Sequence, residues 1–219
     1  MRRLMLGVGM ALILSSATCQ TMRRYTHPTL GFSIETPANW TPDTSDPEFA
    51  VGFETPEASS LYLGVTTESA FATFATDSSY RDAMEGFSPS FREGIAEYLE
   101  IDPAQVAEVS RQIHEVRGLK VATLDFRAPA PDEWVFYARV RLVIADGKLY
   151  ALILSGDEEE FKQNEPLMNQ ILDSFEPKNR ASGQFPVRLL MIALGIACLS
   201  GVLMLGGILL LVRKLTGRL

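Results

Sequence analysis

The run LLMIALGIACLSGVLMLGGILLLV, Leu189 to Val212, holds 24 residues without one charge. A helix needs about 20 apolar residues to cross roughly 30 Å of hydrocarbon, so this run predicts a transmembrane helix with some tilt. Whatever precedes it must then fold on one side of a bilayer while tethered to it.

The N-terminus says which side. MRRLMLGVGMALILSSA sets Arg2 and Arg3 before an uncharged run from Leu4 to Ala17, closing on the small residues Ser15 and Ala17. Too short to span, this stretch reads as a secretory signal peptide. The flanks of the C-terminal run do not orient it, since Lys178, Arg180 and Arg188 balance Arg213, Lys214 and Arg218. The signal peptide breaks the tie. The expected organisation is a signal peptide 1–17, an exported domain 18–175, a linker 176–188, a transmembrane helix 189–212 and a cytoplasmic tail 213–219. The expected location is a single-pass membrane protein whose domain is extracytoplasmic, periplasmic or extracellular, with the lipid bilayer as a partner of its C-terminal helix. Within that helix Ala193, Ala197 and Gly201 recur every four residues, a spacing that would allow close approach of a second copy and a homodimer.

Six of the 20 Lys and Arg lie in the end segments and none of the 27 Asp and Glu does, which leaves the exported part at −13. That balance disfavours nucleic acid as a partner and suits a body held off anionic headgroups by a tether. Of the two cysteines, Cys198 falls inside the membrane run, so no intramolecular disulfide is expected. Cys19 raises lipidation as an alternative to a cut after Ala17, although Thr18 and Ser16 fit that processing poorly.

Between the ends, RYTHPTLGFSIETP holds two strand signals around a Pro and a Gly, with Tyr25, Phe32 and Ile34 as apolar members. EFAVGFE (48–54) and SLYLGVTTE (60–68) read as a hairpin. Tyr80 to Glu100 switches to helical spacing, with Ala83, Met84, Phe87, Phe91, Ile95 and Leu99 on one side and an interruption expected at Ser88 and Pro89. Four strand-length runs follow: VAEVSRQIHEV, LKVATLDFRA, EWVFYARVRLVIADG and KLYALILSG. Turns at Arg117–Gly118 and Asp146–Gly147 favour antiparallel neighbours. A closing helix is expected over Asp157 to Phe175, with Asp157 to Glu160 as its dipole-favoured start rather than a calcium site. Strands, helix, four strands, helix imply an α+β domain, an antiparallel β-sheet flanked by helices.

GFSIETPANW near the start, a central helix, a paired meander and a last helix ending in ILDSF together resemble the PsbP-like fold family. That family includes the PsbP extrinsic proteins, Ran-release-factor homologues and DcrB-type envelope proteins. The resemblance covers roughly Tyr25 to Phe175 and implies an accessory, non-enzymatic role, with one C-terminal transmembrane helix as an addition to the pattern. In GFSIETPANW, Phe32 and Ile34 are expected to face a core while Ser33 and Glu35 point away. Pro37 ends the pairing and Trp40 folds back, so the motif serves architecture. Asn39 to Thr41 also spells an N-glycosylation acceptor, relevant only in a host that glycosylates there.

No residues stand out for chemistry. His27 and His114 lack partners at ligand spacing, and there is no G-x-S-x-G, phosphate-cradling loop or H-E-x-x-H. His114 beside Glu115 reads as a strand-surface pair. Expected catalytic, cofactor-binding and metal residues are therefore none. The expected function is a non-enzymatic binding or assembly factor of the cell envelope, with an envelope protein as partner. The alternative is a small-ligand sensor or carrier with a pocket between sheet and helices, lined by Tyr62, Tyr137 and Tyr150.

The last candidate is WVFYARVRLVI, whose alternation sorts Trp134, Phe136, Ala138, Val140, Leu142 and Ile144 onto one face. Tyr137, Arg139 and Arg141 align on the other. Either they form a partner-facing patch, or each arginine pairs with a carboxylate such as Asp125.

Overall fold

Nine strands and three helices follow one another in the computed structural model, which describes residues 20–56, 59–69, 75–130 and 133–179. The expected signal peptide, transmembrane helix and cytoplasmic tail, with the positions Ala193, Ala197 and Gly201, lie outside these residues. No described helix is long and apolar enough to cross a membrane.

β1 (Met22–Thr26) and β2 (Ser33–Pro37) form a small antiparallel sheet. β3 (Thr41–Asp43), β4 (Val51–Glu54) and β5 (Tyr62–Ser69) begin a second one. After α1 (Asp77–Leu99) and a 3₁₀ turn at Pro103–Gln105 come β6 (Ala107–Val116), β7 (Leu119–Pro129), β8 (Val135–Ala145) and β9 (Lys148–Asp157). α2 (Glu158–Gln163) and α3 (Glu165–Asp173) close the domain. The seven-stranded sheet is antiparallel throughout, in the order β3-β4-β5-β9-β8-β7-β6.

The meander follows from its turns. Arg117 and Gly118 have φ of 50° and 75°, Asp146 and Gly147 of 55° and 68°. Two successive positive φ values are what a two-residue hairpin turn requires for its twist to match the strands. Pairing then propagates from Leu119 against Val116 and from Lys148 against Ala145. β7 and β8 pair from Ala122/Leu142 outward, and beyond that rung a side chain takes over the ladder. The buried Tyr80 hydroxyl donates to the Lys120 carbonyl and accepts the Ile144 N–H at 2.9 Å, bridging the two strands. Burial pushes this phenol up to about 12.

The sheet separates two cores. On one side β2, α2 and α3 enclose Phe32, Ile34, Trp40, Phe53, Leu152, Leu154, Phe161, Ile171 and Phe175. On the other, α1 packs Tyr80, Met84, Ile95 and Leu99 against Leu124, Phe126, Val140 and Leu142. Trp40 is 3% exposed, at the point where the chain leaves the small sheet for the large one. Pairing of β2 ends at Pro37, as its missing N–H demands.

Three expectations change. The helix is not interrupted at Ser88: α1 runs unbroken for 23 residues with Pro89 inside it. Pro89 and Glu85, the residue whose carbonyl loses its donor, lie on the exposed side, while buried Ser88 donates its hydroxyl to Glu108. The closing helix is two helices, because Pro166 cannot continue the ladder and the chain bends at Asn164, whose φ is −106°. Ser33 is buried, since Glu176 bridges to its backbone in both directions at 2.8 Å and Arg24 donates to its hydroxyl.

Candidate functional site

A helix with side chains is about 10 Å wide and strands lie about 4.8 Å apart, so one helix covers roughly two strands. α1 is the one described helix on its side of the seven-stranded sheet, and it packs on β7, β6 and β8. Among the described residues no helix covers the neighbouring face of β9, β5 and β4. β4 and β5 solve part of the problem with glycine. A Cβ on Gly64 would meet the Phe49 ring at 2.5 Å, and one on Gly52 the Tyr62 hydroxyl at 2.7 Å. The two rings therefore rest directly on the strand backbones, edge to face at 5.6 Å.

Between those rings and α1 lies a groove of about 1120 Å³. Its floor is Thr66, Ile144, Leu149 and Ile153, and its helix wall is Ala83, Gly86, Phe87, Ser90, Phe91 and Gly94. Phe87 and Phe91 stack at 5.1 Å, and Phe91 meets Phe126 of the core edge-on at 5.0 Å. One end is closed by Tyr98, Trp134 and Phe136, whose rings sit 6.2–6.3 Å apart. Tyr98 is 75% exposed at this mouth. A Cβ on Gly86 or Gly94 meets nothing within 4 Å, so both glycines open the wall without being needed for helix geometry.

The polar lining has one sign. Asp46, Glu48, Glu68 and Asp82 line the groove, and the lining contains no Lys or Arg. Burial and the nearby Asp46 and Asp43 carboxylates push the Tyr62 phenol up to about 12. The groove is built to hold apolar matter by contact and to disfavour anions.

Of the expected pocket tyrosines, Tyr62 lines this groove; Tyr137 and Tyr150 lie on the opposite side of the sheet, around Phe161 and Phe32. Arg139 and Arg141 face that side too, beneath α3. Arg139 grips Asp125 through Nε at 2.8 Å and Nη2 at 3.2 Å, and donates to Glu165 at 3.0 Å, Asn169 at 2.8 Å and the Tyr137 hydroxyl at 3.2 Å. Burial opposes its charge, but Asp125, Tyr137 and Glu165 together outweigh burial and hold the guanidinium above its ordinary value. Arg141, 5% exposed, donates to Asp173. Of the two roles left open by the sequence, the geometry is that of arginines paired with carboxylates, Asp125 included.

The histidines stay apart. His27 organises a turn, its Nδ1 accepting the Leu30 N–H at 3.0 Å. His114 is near Arg141 and Asp173, and burial, then Arg141, lowers its pKa. Asp157 to Glu160 form a helix start: Asp157 caps α2 by accepting the Glu159 and Glu160 N–H groups, and Glu160 receives Ser59 and Ser60. Among the described residues no group of three His, Cys, Asp or Glu is placed to hold a metal ion.

Sequence reasoning missed the groove residues Phe49, Phe87, Phe91, Tyr98 and Trp134 as a set. The available signal was Gly86 and Gly94 with Ser90 between them at four-residue spacing, in a helix where glycine costs stability.

The solved structure of cyanobacterial PsbP (CyanoP) from Synechocystis sp. PCC 6803 is similar at a TM-score of 0.56 and 18% identity, covering 74% of this chain and 95% of that one. The Saccharomyces cerevisiae Ran-binding protein Mog1p aligns at 0.47 and 8% identity, covering 73% and 97%. LpqN, involved in cell envelope biogenesis of Mycobacterium tuberculosis, aligns at 0.43 and 10%, covering 72% and 91%. No curated protein matches the sequence. The PsbP family model matches residues 20–177, the two sheets and three helices described above, and the chain belongs to the PsbP family.

Proposed function

We propose that this chain is a non-enzymatic binding or assembly factor, held on the outer side of a membrane by its C-terminal apolar run, and that it engages its partner in the groove beside α1. The observation that carries the reading is the groove itself: some 1120 Å³, walled by partly exposed aromatic rings. Partly exposed apolar surface of this extent marks binding surfaces in soluble domains. Family membership is compatible with an accessory role, and the apolar runs at both ends of the sequence support export and anchoring. A second reading, a small-ligand carrier, is favoured by the position of Tyr62 in the lining and by a volume near that of ligand pockets.

The test is site-specific photo-crosslinking of the full-length chain in its own membrane. The crosslinker is placed at Tyr98 in the groove mouth or at Val109, 52% exposed on the far strand β6. A defined protein adduct at Tyr98, absent at Val109 and lost with Gly94→Leu, supports the factor. A small-molecule adduct there supports the carrier, and identical adducts at both positions refute a groove function.

A further inference from the structure

We infer that the groove's occupant is a cationic amphipathic helix of a partner protein, about 14 residues long, with basic residues flanking its apolar face; the inference rests on the groove reading above. Length comes first. The groove follows β5 from Tyr62 to Glu68, about 20 Å at strand rise, which about 14 helical residues span.

Backbone chemistry comes second. Among the described residues β9 is paired with β5 and β8 on its two sides along the floor, while β5 is bonded to β4 only over Leu63–Val65, so a strand edge is offered at Thr66–Ser69 in the plane of the sheet but not over the face of β9. An extended peptide on Leu149 and Ile153 would bury N–H and C=O groups with nothing to bond them, whereas a helix satisfies its own. An acyl chain has no such need, but a phospholipid brings a phosphate to a groove rimmed by carboxylates.

Charge comes third. Asp46, Glu48, Glu68 and Asp82 all line the groove, and none of the four is in an ion pair among the described residues. An apolar floor with acidic residues and no Lys or Arg around it complements a helix with an apolar face and basic flanks.

Two synthetic 14-residue peptides test this, sharing one Leu/Phe face and carrying either two Lys or two Glu at each end, labelled with a neutral dye. Binding to the full-length chain in phosphatidylcholine vesicles is read by anisotropy against protein-free vesicles. The Lys peptide should bind at least about 10-fold more tightly than the Glu peptide at low salt, and the gap should narrow in about 0.5 M salt. Glu68→Gln with Asp82→Gln should weaken the Lys peptide several-fold without weakening the Glu peptide. Gly94→Leu, whose Cβ meets nothing within 4 Å, fills the groove without disturbing the fold and should abolish binding. Unchanged tryptophan fluorescence melts verify that each variant is folded. Equal binding of the two peptides, lost together with Gly94→Leu, overturns the cationic partner but keeps the groove. Lys-peptide binding that survives Gly94→Leu overturns both, and absence of binding by either peptide overturns the inference, leaving the groove to the crosslinking result.

Discussion

Arg139 is the sharpest place to separate scaffold from surface. Its side chain is 14% exposed and that of Asp125 10%, and the two meet through a double hydrogen bond under α3. Removing the guanidinium in Arg139→Met leaves the Asp125 carboxylate buried without its partner, a change that costs about 3–5 kcal/mol. Asp125→Leu should cost less, about 2 kcal/mol, because Arg139 keeps Glu165 and Asn169. With both replaced, no charge is stranded, so the double variant should lose about 2 kcal/mol less than the sum of the singles. Urea denaturation of the full-length chain in phosphatidylcholine vesicles measures this directly. The only two tryptophans, Trp40 and Trp134, both lie in the domain, so intrinsic fluorescence reports on its unfolding alone. A cost below about 1 kcal/mol for Arg139→Met, or strictly additive singles, would refute the buried-pair argument and return Tyr137, Arg139 and Arg141 to candidacy as a partner-facing patch.

Tyr80→Phe should cost about 2–4 kcal/mol in the same assay, because one hydroxyl serves two backbone groups, the Lys120 carbonyl and the Ile144 N–H, that lie beyond the last rung between β7 and β8; a loss under about 0.5 kcal/mol would mean that the strands close on each other without it. Trp40→Ala should cost about 3–5 kcal/mol, the range for emptying a buried aromatic site, and a loss below about 1 kcal/mol would point to a ring held for binding. Burial first, and Arg141 next, hold the His114 imidazole below its ordinary 6.5, so the unfolded chain takes up the proton before the folded one does. The stability owed to the neutral ring is present above that value and lost as the pH falls through the folded one. His114→Gln should therefore flatten the decline in urea midpoint between about pH 7.5 and pH 5.5, and an unchanged slope would contradict the shift.

The meander was legible because its determinants are local. Arg117–Gly118 and Asp146–Gly147 supply the positive φ pairs, and the alternation in β8 sorts its residues onto the faces they occupy. The pairing of β5 with β9 was not legible: Tyr62 and Ser155 meet across most of the domain, and no local pattern specifies that contact. β3, three residues long, carries too little periodicity to register. The break at Pro166 divides the expected closing helix in two, because the proline cannot continue the ladder and Phe161 on one side of it and Met168 and Ile171 on the other each pack on the sheet, a tertiary contact that local spacing does not carry. The groove is the hardest case, since it arises from where α1 does not reach. Its aromatic residues look like core in sequence, and they would be core if a second helix lay beside α1.

The sheet that divides the two hydrophobic clusters also divides the consequences of mutation. Side chains on the α1 side and those under α3 point away from each other through a hydrogen-bonded partition, so they share few direct contacts. Substitutions far apart and without shared partners combine nearly additively. The groove wall can then be reshaped residue by residue while the opposite core holds the fold, which gives this architecture room to change the shape of its groove without relearning how to fold.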